Sequence, residues 1–268
     1  MAEDREALRQ LWDAKIAACL TLASEEVTTP TKPEPVYLML PPMSYFPLVT
    51  EKVRRTFLHF VDTEFHSADM WFDYEGTPLK WHYPIGVLYD LVRNEEDQLP
   101  WAITVHFGSV PKEIVHCPSK ETVESFWVNC LKEADLLKRR SNYKVNCMQK
   151  RDLTQMFSGI LHDKFDQFWT INKKLMESTP EGFKFIPFRL YTPDRGDKPF
   201  IQFQMKPYNS EGVVNTLKNL LDECDPKLAR DFKVLLHGIF VPQEMPLQWL
   251  SEHMSYADSF LHIVLMPV

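Results

Sequence analysis

Apolar side chains near the start of the chain recur every three or four residues, which predicts an amphipathic helix over 4–18. A later stretch, 101–107, alternates between apolar and polar or small side chains, which predicts a half-buried strand. Between them the pattern predicts strands at 37–40 and 45–49, a helix at 50–62, strands at 70–74 and 79–81, and a helix at 85–92. The chain therefore begins with closely mixed helices and strands.

The last third of the chain repeats this order of elements. Strands are predicted at 183–191, 201–206, 232–236 and 260–266, with a helix at 213–224 and a short element at 247–254. The inward side chains of the helix are expected to be Val213, Leu217, Leu220 and Leu221. Both parts also contain a Pro-Leu-Xaa-Trp segment, at 78–81 and at 246–249. This order, within about 75 to 85 residues, is the β-grasp pattern of ubiquitin-like domains, whose sheet buries one face against a helix.

A helix-rich region separates the two repeats. A first helix is predicted to begin near Ser119, a plausible N-cap, and a second to cover 152–177. The apolar stripe of the first helix comprises Val123, Phe126, Trp127, Cys130, Leu131, Ala134 and Leu137.

We therefore predict an α+β fold in which two ubiquitin-like β-grasp domains flank a helix-rich domain, with an N-terminal helix in front. The predicted domains are an N-terminal helix at 1–22, a proline-rich linker at 23–35, the first ubiquitin-like domain at 36–110, the helix-rich domain at 111–180 and the second ubiquitin-like domain at 181–268.

The composition argues against several classes of function. A net charge of −7 disfavours nucleic acid as a partner, because phosphate binding needs a basic face. No apolar run approaches the roughly 18 residues that a membrane-spanning helix needs, and the acidic first residues predict no secretory signal peptide. No phosphate-loop, dinucleotide or zinc motif occurs, so we expect no metal and no cofactor. The last residues, 266–268, lack a Gly-Gly pair, so we do not expect the chain to be transferred as a modifier through this end.

Two other features of the sequence leave alternatives open. The five cysteines are widely spaced, as in a protein with reduced thiols. The densest basic cluster is either a solvated helix end or a weak contact with anionic lipid. Its members are Lys138, Arg139, Arg140, Lys144, Lys150 and Arg151.

Four long segments together resemble the autophagy protein 5 family, and the resemblance runs along nearly the whole chain. They are Trp71–Gly86, Cys130–Asp135, Phe165–Trp169 and Pro246–His253. The resemblance implies two ubiquitin-like domains around a helix-rich domain, in agreement with the pattern above. It also implies a protein that is not itself an enzyme but a scaffold of autophagosome assembly, in the cytoplasm and peripherally on the phagophore membrane.

In this family one lysine forms an isopeptide bond with the C-terminal glycine of the ubiquitin-like modifier autophagy protein 12. The family's Lys-Glu-Ala-Asp segment places that acceptor here at Lys132. Helical spacing agrees, because Lys132 follows Val123 by nine positions and lies about 180° around the helix from it, toward solvent. The flanking carboxylates, Glu133 and Asp135, are expected to favour the protonated amine.

The resemblance also implies further partners. The conjugate binds the N-terminal helix of autophagy protein 16, and through the E2-like autophagy protein 3 it acts like an E3 that promotes lipidation of autophagy protein 8 modifiers on phosphatidylethanolamine. Leu11, Trp12 and Lys15 are the candidate contacts for autophagy protein 16. An equally good interpretation is that Leu11 and Trp12 cap the protein's own core, because amphipathic helices usually pack on their own domain.

Two other functional hypotheses stand beside this one. A ubiquitin-like adaptor could bind partner helices or membranes without being conjugated. A cysteine enzyme would instead place a Cys–His pair in a cleft.

Overall fold

The computed structural model describes residues 4–94, 98–141, 143–176, 184–192 and 200–268, which form two compact units. One unit comprises residues 14–126, and the other comprises residues 1–13 together with 127–268. The helices of the described residues are α1 (Arg5–Asp13), α2 (Phe46–Val49), α3 (Glu51–Phe57), α4 (Ile85–Val92), α5 (Lys120–Arg139), α6 (Tyr143–Asn146), α7 (Lys150–Leu161), α8 (Phe165–Met176), α9 (Leu217–Cys224), α10 (Leu228–Asp231) and α11 (Leu247–His253). The strands are β1 (Ile16–Leu22), β2 (Val36–Leu40), β3 (Trp71–Tyr74), β4 (Thr77–Pro78), β5 (Trp101–His106), β6 (Ile186–Tyr191), β7 (Ile201–Met205), β8 (Phe232–Leu236), β9 (Ile239–Phe240) and β10 (Leu261–Pro267).

The unit of residues 14–126 is built on a five-stranded mixed sheet in the order β2-β1-β5-β3-β4. Its central strands β1 and β5 run parallel, with Ala18 opposite Trp101, and the other neighbours are antiparallel. Phe46 of α2 stacks on Phe72 of β3 with ring centroids 4.8 Å apart, and α3 contributes the buried Val53. Helices therefore cover one face of the sheet, as in a β-grasp domain.

The second sheet repeats this topology strand for strand, in the order β7-β6-β10-β8-β9, with β6 and β10 parallel. Alternate residues of β6 and β10 form a continuous core with the inward side of α9. That core includes Ile186, Phe188, Leu190, Leu217, Leu220, Leu221, Leu261, Ile263 and Leu265. The predicted fold of two β-grasp sheets, a helical region and an N-terminal helix is confirmed.

The predicted N-terminal helix at 1–22 is wrong beyond Asp13, because Ile16–Leu22 is the strand β1. Ile16 fits the helical spacing, but it also begins an alternation of buried residues that pairing with β2 and β5 selects. The segment 23–35, predicted as a linker between domains, instead connects two adjacent strands of one sheet. Glu26 in that connection accepts hydrogen bonds from the backbone N–H groups of Phe107 (2.7 Å) and Gly108 (3.0 Å).

Other predicted elements also differ from the structure, and the strand predicted at 79–81 is instead β4 at Thr77–Pro78. Residues 45–49, predicted as a strand, contain the helix α2, since a short continuous apolar run carries no periodicity that separates the two. The helix predicted at 213–224 begins at Leu217, after a capping box of Thr216 and Asn219, and Val213 is 57% exposed. The single helix predicted at 152–177 is two antiparallel helices, α7 and α8, separated at Asp163, where φ is 55°.

A glycine permits the close approach of α7 and α8. A Cβ placed on Gly159 would lie 2.9 Å from the backbone nitrogen of Phe168 and 2.9 Å from its Cβ. Backbone atoms of a helix cannot move aside as the end of a flexible side chain can, so the position excludes any larger residue.

We expect Gly159→Ala to lower the free energy of unfolding by about 1–3 kcal/mol, because the added methyl group forces the two helices apart. Urea denaturation of the full chain measures this change. Thr154→Ala, at an exposed position of the same helix, is the matched control and is expected to change stability by less than about 0.5 kcal/mol. Equal stability of Gly159→Ala and the control would contradict the packing argument.

Candidate conjugation site and partner contacts

The candidate acceptor Lys132 lies in the middle of α5. The opposite side of this helix is buried: Val123 and Trp127 are both fully inaccessible, and the Trp127 indole N–H donates to the carbonyl of Ala257 at 2.9 Å. Lys132 is partly exposed, and among the described residues it makes no hydrogen bond or ion pair. Its amine therefore has no competing partner in the described part of the protein.

The two carboxylates that flank Lys132 are bound to other groups, and the expectation that they favour its protonated amine stays a prediction. Glu133 accepts hydrogen bonds from Nη2 of Arg189 at 3.1 Å and from Nε2 of Gln202 at 2.5 Å. Asp135 accepts from the Arg139 guanidinium and from the backbone N–H of Val145. Neither carboxylate is placed to hold or deprotonate the Lys132 amine.

Arg189 is the centre of a buried polar network on the face of the second sheet opposite α9. It is 5% exposed, with Nη1 3.9 Å from the carboxylate of Asp258 and the guanidinium carbon 3.9 Å from the Phe260 ring centroid. His262 donates from Nε2 to Asp258 at 3.0 Å and accepts from the Tyr191 hydroxyl at 2.8 Å. Burial lowers the pKa of His262, so its ring is neutral.

The charges around Asp258 determine its protonation state. Although burial opposes ionisation, the hydrogen bond from His262 and the charge of Arg189 hold the pKa of Asp258 below its ordinary value. The sequence analysis missed this network. The sequence feature that could have revealed the network is Arg189, a single charged residue inside an apolar strand. Such a residue requires a buried anion as its partner.

The three candidate contacts for a partner helix lie in different surroundings. Trp12 is 3% exposed and packs on α8, with its ring 5.0 Å from that of Phe168. Leu11 is partly buried and contacts the core of the second sheet. Lys15 lies outside α1, in the unit of residues 14–126, and its amine donates to the carbonyl of Ala14 at 3.2 Å. For Trp12 the structure favours the interpretation that it packs in the protein's own core.

Helix α1 is also attached by charge. Asp166 of α8 accepts from Arg5 at 2.6 Å and from Arg9 at 3.4 Å, and both guanidinium groups lie over the Phe165 ring. These pairs are exposed and screened by water, so they contribute less to stability than the buried indole.

The basic cluster near the end of α5 does not form one exposed patch. Lys138 is 2% exposed, and burial lowers its pKa to about 7. Arg139 donates to Asp135 and to the carbonyl of Leu175. In the described part of the chain, no helix has the length and apolar character that a membrane crossing requires.

Two of the cysteines are poorly suited to nucleophilic catalysis. Burial raises the pKa of Cys130 to about 12. Cys117 and His116 do share the wall of a cleft of about 470 Å³, but burial and Asp69 raise the pKa of the Cys117 thiol to about 11. Since the thiolate is the nucleophile, neither thiol is active at neutral pH.

We expect Trp12→Ala to lower the free energy of unfolding by about 3–5 kcal/mol, because it removes a large buried ring from the contact between α1 and α8. Chemical denaturation of the full chain measures the loss. Asp166→Asn, which weakens only exposed ion pairs of the same helix, is the control and is expected to cost less than about 1 kcal/mol. A Trp12→Ala variant as stable as the control would show that the indole is not a core residue.

We expect the free energy of unfolding to rise with pH above 7, relative to that of Lys138→Met. Between the native pKa of about 7 and the unfolded value near 10.4, the unfolded chain binds the proton that native Lys138 has lost, so raising the pH favours the native state by at most about 1.4 kcal/mol per unit. Urea denaturation at several pH values compares the two proteins. Leu136→Met, at an exposed position of α5, is the control and should follow the wild type. Parallel curves for wild type and Lys138→Met would contradict the assignment.

Comparison with known families accounts for nearly all of the chain. The family model for the autophagy protein ATG5 UblA domain matches residues 11–107, that for the ATG5 alpha-helical bundle region matches 120–178, and that for the ATG5 UblB domain matches 185–265. The first match includes β1, in agreement with the corrected position of that strand.

Individual relatives match over their full length. Autophagy protein 5 of Drosophila melanogaster is 45% identical over 266 residues, which cover 98% of this chain and 97% of the relative. Autophagy-related protein 5 of Caenorhabditis elegans is 33% identical over 276 residues, with 99% of each chain covered. The crystal structure of Kluyveromyces marxianus Atg5 has the same fold, with a TM-score of 0.84 at 20% identity over 97% of this chain and 99% of that one. The sequence matches, together with the two β-grasp sheets and the helical region, show that the chain belongs to the autophagy protein 5 family.

Proposed function

We propose that this protein is the acceptor and scaffold of autophagic conjugation. Autophagy protein 12 is joined to Lys132, and the conjugate binds the N-terminal helix of autophagy protein 16. The complex acts like an E3: it engages the E2-like autophagy protein 3 and promotes transfer of autophagy protein 8 modifiers to phosphatidylethanolamine on the phagophore membrane. The protein itself supplies no catalytic group. Membership of the autophagy protein 5 family supports each part of this proposal.

The amine of Lys132, which is partly exposed and has no hydrogen-bond or ion-pair partner among the described residues, is the observation on which the proposal rests. An acceptor must reach an activated carboxyl group without first breaking contacts of its own. Lys138, on the same helix, fails this condition because it is buried. Arg139 cannot form the bond, and it is engaged with Asp135. Lys132 is also the lysine of the Lys-Glu-Ala-Asp segment.

The reaction at Lys132 is an aminolysis. The neutral amine nitrogen attacks the carbonyl carbon of the modifier's C-terminal glycine, which is held as a thioester on the E2-like enzyme. The C–N bond forms, the C–S bond breaks, and the enzyme's sulfur leaves as a thiolate with the electron pair. The amine proton passes to a base of the enzyme or to water, since Glu133 and Asp135 are both engaged with arginines. The chain provides the nucleophile, and the base must come from outside.

Contacts with autophagy protein 16 remain proposed at Leu11, Trp12 and Lys15. Leu11 and Lys15 keep part of their surface accessible, so they are able to contact a partner directly. Trp12 is buried, and its contribution would be to hold α1 against α8. The apolar side of a partner helix suits Leu11, and an acidic residue on it suits Lys15.

The test is conjugation of the full chain with autophagy protein 12, its E1- and E2-like enzymes and ATP. Wild type is expected to give a conjugate, and Lys132→Arg none, because a guanidinium keeps the charge but does not form the amide. Lys173→Arg, at an exposed lysine of α8, is the matched control and is expected to react like wild type. Gel shift and mass spectrometry of the linked peptide report the outcome.

A conjugate that persists in Lys132→Arg would place the acceptor at another lysine. If wild type gives no conjugate with enzymes that modify a known acceptor, the protein acts as an unconjugated adaptor, and the proposal is wrong.

A further inference from the structure

The residue that follows the candidate acceptor is attached to the second sheet. Glu133 accepts from Arg189 of β6 and from Gln202 of β7, and Arg189 donates from Nε to Gln202 at 2.9 Å. The three side chains therefore form a closed triangle of hydrogen bonds, which we call the clamp. It joins one turn of α5 to two adjacent strands, at the position directly after Lys132.

The clamp is anchored in the interior of the protein. Arg189 is enclosed by the Phe260 ring and by Asp258, which in turn accepts hydrogen bonds from His262 and from the backbone N–H of Phe260 at 3.1 Å. Charge-assisted hydrogen bonds are stronger than neutral ones, and without Glu133 the buried Arg189 would keep only the more distant carboxylate of Asp258 as an anionic partner. The position of α5 at Glu133 is therefore fixed to the sheet.

The side chain of Lys132 has no comparable restraint. It consists of a flexible four-carbon stem whose amine has no hydrogen bond or ion pair among the described residues, so its reach is determined mainly by the backbone from which it projects. Aminolysis requires the amine to meet the thioester carbonyl in a narrow range of distance and angle, and a displacement of about 1 Å can slow a reaction by as much as 100-fold.

We propose that Glu133 is a positioning residue for conjugation at Lys132, acting through Arg189 and Gln202. This inference rests on the proposed function, because it presupposes that Lys132 is the acceptor. The clamp holds the α5 backbone so that the amine is presented to the modifier-loaded enzyme, and it takes no part in the transfer of the proton or the acyl group.

The experiment is a single-turnover reaction in which full-length variants accept autophagy protein 12 preloaded as a thioester on its E2-like enzyme. Rates are measured over a range of acceptor concentrations, below the unfolding midpoint of every variant. The variants are Glu133→Ala, Gln202→Ala and their combination. Glu124→Ala, a carboxylate on the same helix without described contacts, is the matched control. Arg189 is left intact because its removal would leave the buried carboxylate of Asp258 without its cationic partner.

Glu133→Ala and Gln202→Ala are each expected to lower the maximal rate roughly tenfold while the half-saturating acceptor concentration stays the same. The double variant is expected to be no slower than the slower single variant, because both substitutions open the same clamp. Glu124→Ala is expected to react like wild type. A substitution that merely destabilised the fold would not lower the maximal rate selectively at temperatures where the protein is folded.

Three results would overturn the inference. A wild-type rate for Gln202→Ala together with a slow Glu133→Ala would mean that the enzyme contacts Glu133 directly. Losses that multiply in the double variant would mean that the two residues act independently. A change confined to the half-saturating concentration would mean that the residues form a binding surface. Failure of wild type to be modified at Lys132 would instead refute the proposed function, so the two failures are distinguishable.

Discussion

Arg189 carries a full charge at a position that is 5% exposed, and a charge withdrawn from water must be compensated by opposite charges and hydrogen bonds. Asp258, in the turn before β10, provides one compensating charge, and Glu133 provides the other from α5. Apolar contacts cannot replace these two carboxylates. The helix α5 and the second sheet therefore pack in a single relative position. This constraint determines where the candidate acceptor and the helices after it lie relative to the second sheet.

The sequence predicted the architecture because both sheets carry the same order of patterned segments. Where it failed, one local pattern was compatible with two structures. Ile16 fits both a helical stripe and an alternating strand, and partner strands far along the chain decide between them. The break at Asp163 has no glycine or proline to mark it. The close approach of Phe168 to Gly159 explains afterwards why α8 turns back at that point.

The candidate site was predictable in part. Lys132 follows from its segment and from its position opposite the buried stripe of α5. The clamp does not follow, because it joins Glu133 to residues 56 and 69 positions away, and no local spacing reports such a contact. The burial of Lys138 was equally hidden, and that of Trp12 was one of two open interpretations, because an aromatic or a lysine on a helix fits a surface as well as an interior.

The parallel strands at the centre of each sheet have a consequence for how the chain acquires its structure. In the first sheet Ala18 pairs with Trp101, and in the second Phe188 pairs with Leu261, so the first and last strands of each sheet in chain order meet at its centre. Contacts between residues so far apart in the chain form slowly, because closing a long loop costs conformational entropy before the contact stabilises the fold. On a ribosome, neither sheet can complete its centre until the last strand of its unit has emerged, and until then the nascent chain exposes unpaired strands to chaperones.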